Sequence, residues 1–342
     1  MCKTQNSIKL QILLVAFISL LASYIFEYIN NELSFSGILY KNDKIYKHSK
    51  YVDENTQFFI GSLSKQITAY LVVAHISNID IYVTDILNEN KLEEIKSSSR
   101  LFSNEININT LDGVQIKHLL THSSGINFSE NIKYAEPGQV FRYDNCNYII
   151  AGKILEYISK KSFITLCSNF FEELGLNHTF LISDSTYSDL YKSNPDLRAS
   201  MDLSFPNNPQ IKGKWAGISF CGGVISSSSE LCKIIKFLYS KENIKKMLAY
   251  TVPTNIQKTS YGLGFYINKK SGLIFHDCIL PVSTFYYVGY FLYSLIDGQY
   301  ELRLENVYRN VSQSVLYMYC QKHLSKAIKN FLNDKKTKRQ AM

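Results

Sequence analysis

The feature that most limits the fold is a change of texture along the chain. From about residue 261 the runs "YGLGFYI", "GLIFHDCIL", "STFYYVGYFLYSLI" and "YELRLENV" are dense in aromatic and β-branched residues, with Gly or Asp297-Gly298 breaks. This pattern predicts successive strands of an antiparallel sheet. A related signal stands at the other end, where "FSGILYKNDKIYKHSK" (Phe35–Lys50) alternates around the turn pair Asn42-Asp43 and predicts a β-hairpin. Between these ends the period is helical. Leu63, Ile67, Tyr70, Leu71 and Ala74 share one helix face, and "VQIKHLLTHSSG" (Val114–Gly125) reads as a short helix ending in a turn. "NYIIAGKILEYISKK" (Asn147–Lys161) and "FITLCSNFFEELG" (Phe163–Gly175) are amphipathic, and Gly175 is a helix stop. Ser227 and Glu230 form a capping box before the next helix, and a last amphipathic helix is expected from about Ser312 to Leu332. The expected fold is therefore α/β: an antiparallel sheet flanked by helices, formed by both chain ends, with a mostly helical region inserted. Residues 31–80 and 216–333 supply the sheet part and 81–215 the helical part of one domain.

The first thirty residues differ from the rest. Lys3 and Lys9 precede the apolar run "LQILLVAFISLLASYIF" (Leu10–Phe26), and Glu27 and Glu32 follow it. Seventeen residues at helical rise reach about 25 Å, marginal for a bilayer. The run is expected to be a signal anchor or a cleaved export signal. The flanking charges place the bulk of the chain on the extracytoplasmic (periplasmic) side of a cell membrane, or secreted if the segment is cleaved. The net charge of +8 is dispersed, and its densest run, Lys335, Lys336, Lys338 and Arg339, lies in a basic tail over 334–342. No module interleaves these charges with stacking aromatics, so a nucleic-acid partner is not expected. None of the seven cysteines is paired at C-x-x-C spacing, and a zinc site is unsupported.

The stretch "IGSLSKQI" (Ile60–Ile67) places a lysine in apolar surroundings. On a helix beginning at Ser62, Ser62 and Lys65 are three apart and share a face, whereas Ser64 points elsewhere. A serine hydroxyl is a weak nucleophile until a neighbour takes its proton. A lysine one turn along can do that, or organise the group that does, once burial lowers its pKa. Backbone N–H groups at the helix start can hold a developing oxyanion. His118 and His122 are four apart, but the intervening Leu-Leu-Thr carries no carboxylate, so the zinc-protease pattern is missing.

"GSLSKQITA" is followed in order by "VQIKHLLTHSSGI", "EPGQVFRYDNCNYIIAGKILEYISKKSF", "AGISFCGGVISSSSELCKIIKFL" and "YGLGFYI". These blocks, spanning roughly 36–333, resemble the β-lactamase-related serine hydrolases, which include class C β-lactamases, D-alanyl-D-alanine carboxypeptidases and related esterases. The resemblance implies Ser62 as nucleophile, and implies for Tyr143-Asp144-Asn145 the family's Tyr-x-Asn element. Tyr143 then acts as general base, its phenolate favoured by the Lys65 ammonium, and the Asn145 amide binds Lys65 and a substrate carbonyl. The "THSSG" block is a structural turn by the same resemblance. The family's Lys-Thr-Gly or His-x-Gly strand corresponds to His276-Asp277-Cys278. His276 takes the cationic or hydrogen-bonding role, Cys278 replaces a glycine, and the N–H of Ile279 is the second oxyanion donor.

The substrates implied are a D-Ala-D-Ala peptide, a β-lactam or a small ester, with no cofactor. A second reading follows from Cys278: its side chain narrows the cleft and leaves a membrane-anchored protein that binds cell-wall peptides without turnover. The position of the Cys278 side chain discriminates the two.

Overall fold

The alternating segments at the two ends of the chain meet in one sheet. The computed structural model describes residues 34–41, 44–99, 101–182, 215–256, 258–282, 285–295, 298–308, 322 and 324–330. The apolar run Leu10–Phe26, the Asn42-Asp43 turn and the basic tail lie outside these residues, as does most of the expected helix from Ser312 to Leu332. Its 324–330 portion is helical. Among the described residues no helix is long and apolar enough to cross a membrane.

Strands β1 (Ser34–Lys41) and β2 (Lys44–Lys50) form the expected hairpin. The C-terminal strands are β8 (Val252–Pro253), β9 (Ser260–Tyr261), β10 (Tyr266–Asn268), β11 (Leu273–Val282), β12 (Phe285–Ser294) and β13 (Tyr300–Tyr308). All join one eight-stranded antiparallel sheet in the order β2-β1-β13-β12-β11-β10-β9-β8. The expected "YGLGFYI" strand is two short strands with a turn between them, because Gly262 and Gly264 break its pairing. Register puts Ile38, Leu302, Phe291 and His276 in one cross-strand row, and Ser36, Leu304, Gly289 and Cys278 in the next. With a side-chain period of two, both rows point to the same face. This face carries the main core; Leu324 and Ala327 pack on the opposite face against Leu273, Phe275 and Leu292.

The helices are α1 (Ser64–His75), α2 (Glu89–Ser97), α3 (Ile116–Leu120), α4 (Asn145–Ser159), α5 (Phe163–Glu173), α6 (Trp215–Gly222), α7 (Ser228–Leu238) and α8 (Ile244–Met247). A smaller sheet orders β3 (Gln57–Phe59), β7 (Val224–Ser227) and β6 (Phe180–Leu181), and β4 (Ile126–Asn127) pairs with β5 (Ile132–Lys133). Ser227 caps α7 by accepting the Glu230 N–H, as the sequence predicts. The Glu230 carboxylate instead leaves its own helix. It accepts the N–H groups of Asn177 and His178 at 2.7 and 2.9 Å and the Thr179 hydroxyl at 2.7 Å, tying the helical insert to the sheet part.

Helix α1 is the central element, buried on most of its circumference by α4, α5, α6 and α8. Each polar side chain it buries has a partner, as burial requires. Ser64 Oγ accepts the Val224 N–H, Thr68 Oγ1 donates to the Phe220 carbonyl, and the Tyr239 hydroxyl donates to Gln66. The β9–β10 turn presses on the first turn of this helix. Gly264 has φ +91°, and a Cβ there would lie 2.9 Å from the Lys65 carbonyl oxygen and the Gln66 Cα. Gly264→Ala is therefore expected to cost about 1–3 kcal/mol by overpacking. Urea unfolding checks this, and a midpoint equal to that of the unsubstituted chain contradicts the contact.

Candidate active site

A single 3₁₀ turn, Gly61–Leu63, precedes α1, so the helix begins two residues later than Ser62. Gly61 starts the turn at φ +48°, and Ile60 enters from β3, its N–H bound to the Val224 carbonyl at 3.0 Å. The serine is thereby set at the mouth of the helix rather than inside it. Early in the turn its N–H has no intrahelical acceptor. Ser62 remains partly exposed, whereas Lys65 is 0% exposed.

Three sequence-predicted residues converge. Lys65 Nζ donates to Ser62 Oγ at 3.1 Å, and the Tyr143 hydroxyl donates to the same oxygen at 2.8 Å. Lys65 also donates to the Cys221 carbonyl at 2.7 Å, from the C-terminal end of α6. Its ammonium lies 5.0 Å from the Tyr143 ring centroid and 5.7 Å from that of Tyr148. Among the described residues no carboxylate forms an ion pair with it. Burial brings its pKa from 10.5 down to about 8, against the weaker opposing pull of neighbouring anionic forms.

Tyr143 behaves differently from the sequence expectation. Burial pushes its hydroxyl well above the ordinary phenol value, and the hydrogen bond to Ser62 opposes this only in part. The Lys65 ammonium thus does not make the phenolate accessible, because both groups lie in the same desolvated region. Lys65 is the group whose neutral form is populated near neutral pH, and Tyr143 stays protonated.

The remaining predicted residues divide. Asn145 begins α4, but its Oδ1 is buried without a hydrogen-bond partner, and no hydrogen bond joins it to Lys65 among the described residues. His276 lies on the core face of β11, 1% exposed, with Nε2 3.1 Å from the Tyr261 hydroxyl. Burial and the Lys65 charge lower its pKa to about 3, so of the two expected roles, cationic or hydrogen-bonding, the neutral hydrogen-bonding one fits. A neutral ring is fully satisfied with Nδ1–H donating to the Asp277 carbonyl and Nε2 accepting from Tyr261. Cys278 is 2% exposed and belongs to the main core. Opposite it stands Gly289, where an added Cβ would lie 3.4 Å from the Cys278 sulfur. The thiol is thus packed in the core against the neighbouring strand, and the expectation that Cys278 fills the cleft has no support. Ile279 follows on the same strand. β11 pairs with β12 along its length but with β10 only at Leu273–Phe275. From His276 onward its other edge has no paired strand among the described residues, and β11 packs against the turn bearing Ser62.

Two contributors escape the sequence reading. The Cys221 carbonyl that holds Lys65 is a backbone group, so no side-chain pattern announces it. Tyr261 stands in the quoted "YGLGFYI", but its reach to His276 depends on the β9–β11 spacing. His118 and His122 each accept a backbone N–H at Nδ1, from Gln115 and Asp144. Among the described residues no cluster of potential ligands could hold a metal ion.

The depressed lysine pKa has a stability consequence that needs no substrate. Between about pH 8 and the ordinary 10.5 the unfolded chain binds more protons at Lys65 than the folded one. The folded state therefore gains stability as pH rises through this window, and bears the full burial cost below it. Relative to Lys65→Met, the unsubstituted chain should gain roughly 3 kcal/mol across the window. Urea unfolding of both proteins checks this, and parallel pH profiles would contradict it.

A family model described as Beta-lactamase matches residues 36–296. Among solved structures, the chain is similar to the octameric penicillin-binding protein homologue from Pyrococcus abyssi, at 22% identity over 91% of this chain and 77% of that one, with a TM-score of 0.59. It is also similar to a class C β-lactamase (16% identity, 86% and 91% covered, TM-score 0.57). A β-lactamase/D-alanine carboxypeptidase from Pseudomonas syringae shares 15% identity over 90% of this chain and 98% of that one, with a TM-score of 0.56. No curated protein sequence matches significantly. These structures share the fold described above, and because the family model covers most of the sequence, the chain belongs to the beta-lactamase family.

Proposed function

We propose that the protein is a serine hydrolase acting through an acyl-enzyme at Ser62. The observation that carries this reading is the convergence of Lys65 and Tyr143 on one serine oxygen, at 3.1 and 2.8 Å. Neutral Lys65 takes the Ser62 proton as Oγ bonds to the substrate carbonyl carbon. The oxyanion is held by the N–H groups of Ser62 and Ile279. Collapse of the tetrahedral intermediate breaks the bond to the leaving group. The Tyr143 hydroxyl delivers a proton to that group and is reprotonated from the Lys65 ammonium. Water then resolves the ester by the reverse proton path. The Asn145 amide, by donating to a substrate carbonyl, and the open edge of β11 hold the substrate.

Substrates of this reading are a D-Ala-D-Ala peptide, a β-lactam or a small ester. The solved relatives support that range: one is a class C β-lactamase in complex with cefoxitin, another a D-stereospecific amidohydrolase from Streptomyces. The apolar run Leu10–Phe26 supports a membrane-held protein acting on the extracytoplasmic side. Membrane fractionation with alkaline extraction tests that placement, and recovery in the cytosolic fraction rejects it.

The test of the chemistry is labelling with a fluorescent penicillin and a panel of short-chain aryl esters, read by intact mass and peptide mapping. One acyl group on Ser62 is expected, with no label on Ser62→Ala and a rate about 10²–10⁴-fold lower for Tyr143→Phe. Label persisting on Ser62→Ala, or an unmodified chain with every probe, contradicts the proposal.

A further inference from the structure

Tyr143 is held by no regular element. Residues 140–144 lie in neither helix nor strand, and α4 begins two residues after the tyrosine. A phenol that must meet Ser62 Oγ needs its backbone fixed by something else. His122 supplies three contacts to this one short segment. Its carbonyl accepts the Arg142 N–H at 2.8 Å, and its ring Nδ1 accepts the Asp144 N–H at 3.2 Å. Between these two, its ring lies against the Tyr143 ring, with centroids 4.2 Å apart and planes at 36°. The residue before the tyrosine, the tyrosine itself and the residue after it are all held by one side chain and its own backbone.

The local backbone is shaped for this. His122 has φ +52°, a left-handed conformation uncommon for a residue with a β-carbon. The turn lets carbonyl and ring address the same strand of chain. Asp144 in turn caps α4 by accepting the Cys146 N–H at 2.9 Å, which registers the segment to that helix. Tyr148 and Tyr261 enclose the imidazole, with ring centroids 5.1 and 5.0 Å away.

The protonation state follows from the contacts. A nitrogen that accepts an N–H is bare, so the ring proton sits on Nε2. Burial, and after it the Lys65 charge, hold the ring well below its ordinary pKa, which keeps it neutral. Nε2 is itself buried and has no hydrogen-bond partner among the described residues. Buried polar groups are normally paired. Here one nitrogen goes unpaired while the other nitrogen and a ring face are committed to the tyrosine segment.

We propose that His122 is the positioning residue that aims the Tyr143 hydroxyl at Ser62 Oγ. This rests on the serine-hydrolase reading above, in which Tyr143 handles the leaving-group proton. His122→Phe keeps an aromatic face and removes the Nδ1 acceptor. His122→Asn keeps an acceptor, tolerates the positive φ and removes the ring.

The experiment measures acylation by fluorescent penicillin and by an aryl ester, separating initial binding from the acylation step. It uses the full-length chain, each His122 variant alone, and each combined with Tyr143→Phe. His122→Phe should acylate about 10²-fold more slowly, the scale of a small misplacement of a reacting group, with initial binding little changed. His122→Asn should recover part of that loss. In the Tyr143→Phe background both substitutions should cost almost nothing further, because the hydroxyl they aim is gone. An equal loss in both backgrounds, or an unchanged rate for His122→Phe, overturns the proposal. If His122→Phe does not fold, the His122→Asn cycle decides by the same criterion.

A second readout is independent of turnover. Ring ¹⁵N shifts of His122 should report a neutral Nε2–H tautomer from pH 5 to pH 9, an interval of roughly the range in which an ordinary histidine titrates. An imidazolium or an Nδ1–H tautomer overturns the cradle. Should the unsubstituted chain fail to acylate with any probe, the hydrolase reading falls, and the ¹⁵N result still decides how the Tyr143 segment is held.

Discussion

One buried amine sets the terms for the rest of the site. Taking an ammonium out of water costs several kcal/mol even after relaxation. Among the described residues Lys65 meets that cost without an ion-paired carboxylate: it has a carbonyl, a serine oxygen and two aromatic faces. A carboxylate in their place would hold the amine protonated through neutral pH. With neutral oxygens alone, the balance between charged and uncharged forms falls near pH 8, where a base is useful.

The surrounding fold follows from that requirement. A lysine at the first turn of a helix is buried only if the helix is enclosed, and α1 is covered by helices of both the insert and the sheet part. The carbonyl that holds it comes from the last turn of α6, where C=O groups lack intrahelical partners. Gly264 brings the β9–β10 turn onto the same first turn, at a distance a side chain would forbid. The sheet built from both chain ends places β11 beside Ser62 with one edge unpaired. The site is thus an assembly of four distant stretches, around residues 62, 143, 221 and 276, each held by its own local device.

How much of this was legible in the sequence depends on the range of the forces involved. Strands at the two ends and helices between them were readable, because side-chain periodicity and caps such as Ser227 are local. The pairing of Ser62 with Lys65 was readable for the same reason, being one helical turn. The meeting with Tyr143 came from the order of the blocks, not from spacing. The charge states were not legible. Burial sets them: it raises the pKa of the Tyr143 phenol, against the expected phenolate, and leaves His276 the hydrogen-bonding one of its two expected roles. The burial of the Cys278 side chain in the core, which leaves its cleft-filling reading without support, was not legible because it depends on strand register and packing. The carbonyl of Cys221 carries no side-chain signal at all.

The central claim is that the neutral form of Lys65 accepts the Ser62 proton. Its most direct measurement is the pH dependence of the second-order acylation constant, which reports ionisations of the free protein. The account predicts a rate that rises with a single apparent pKa near 8 and levels above it. A rate that is flat through this range, or that rises only where an unperturbed lysine or phenol ionises, would contradict it.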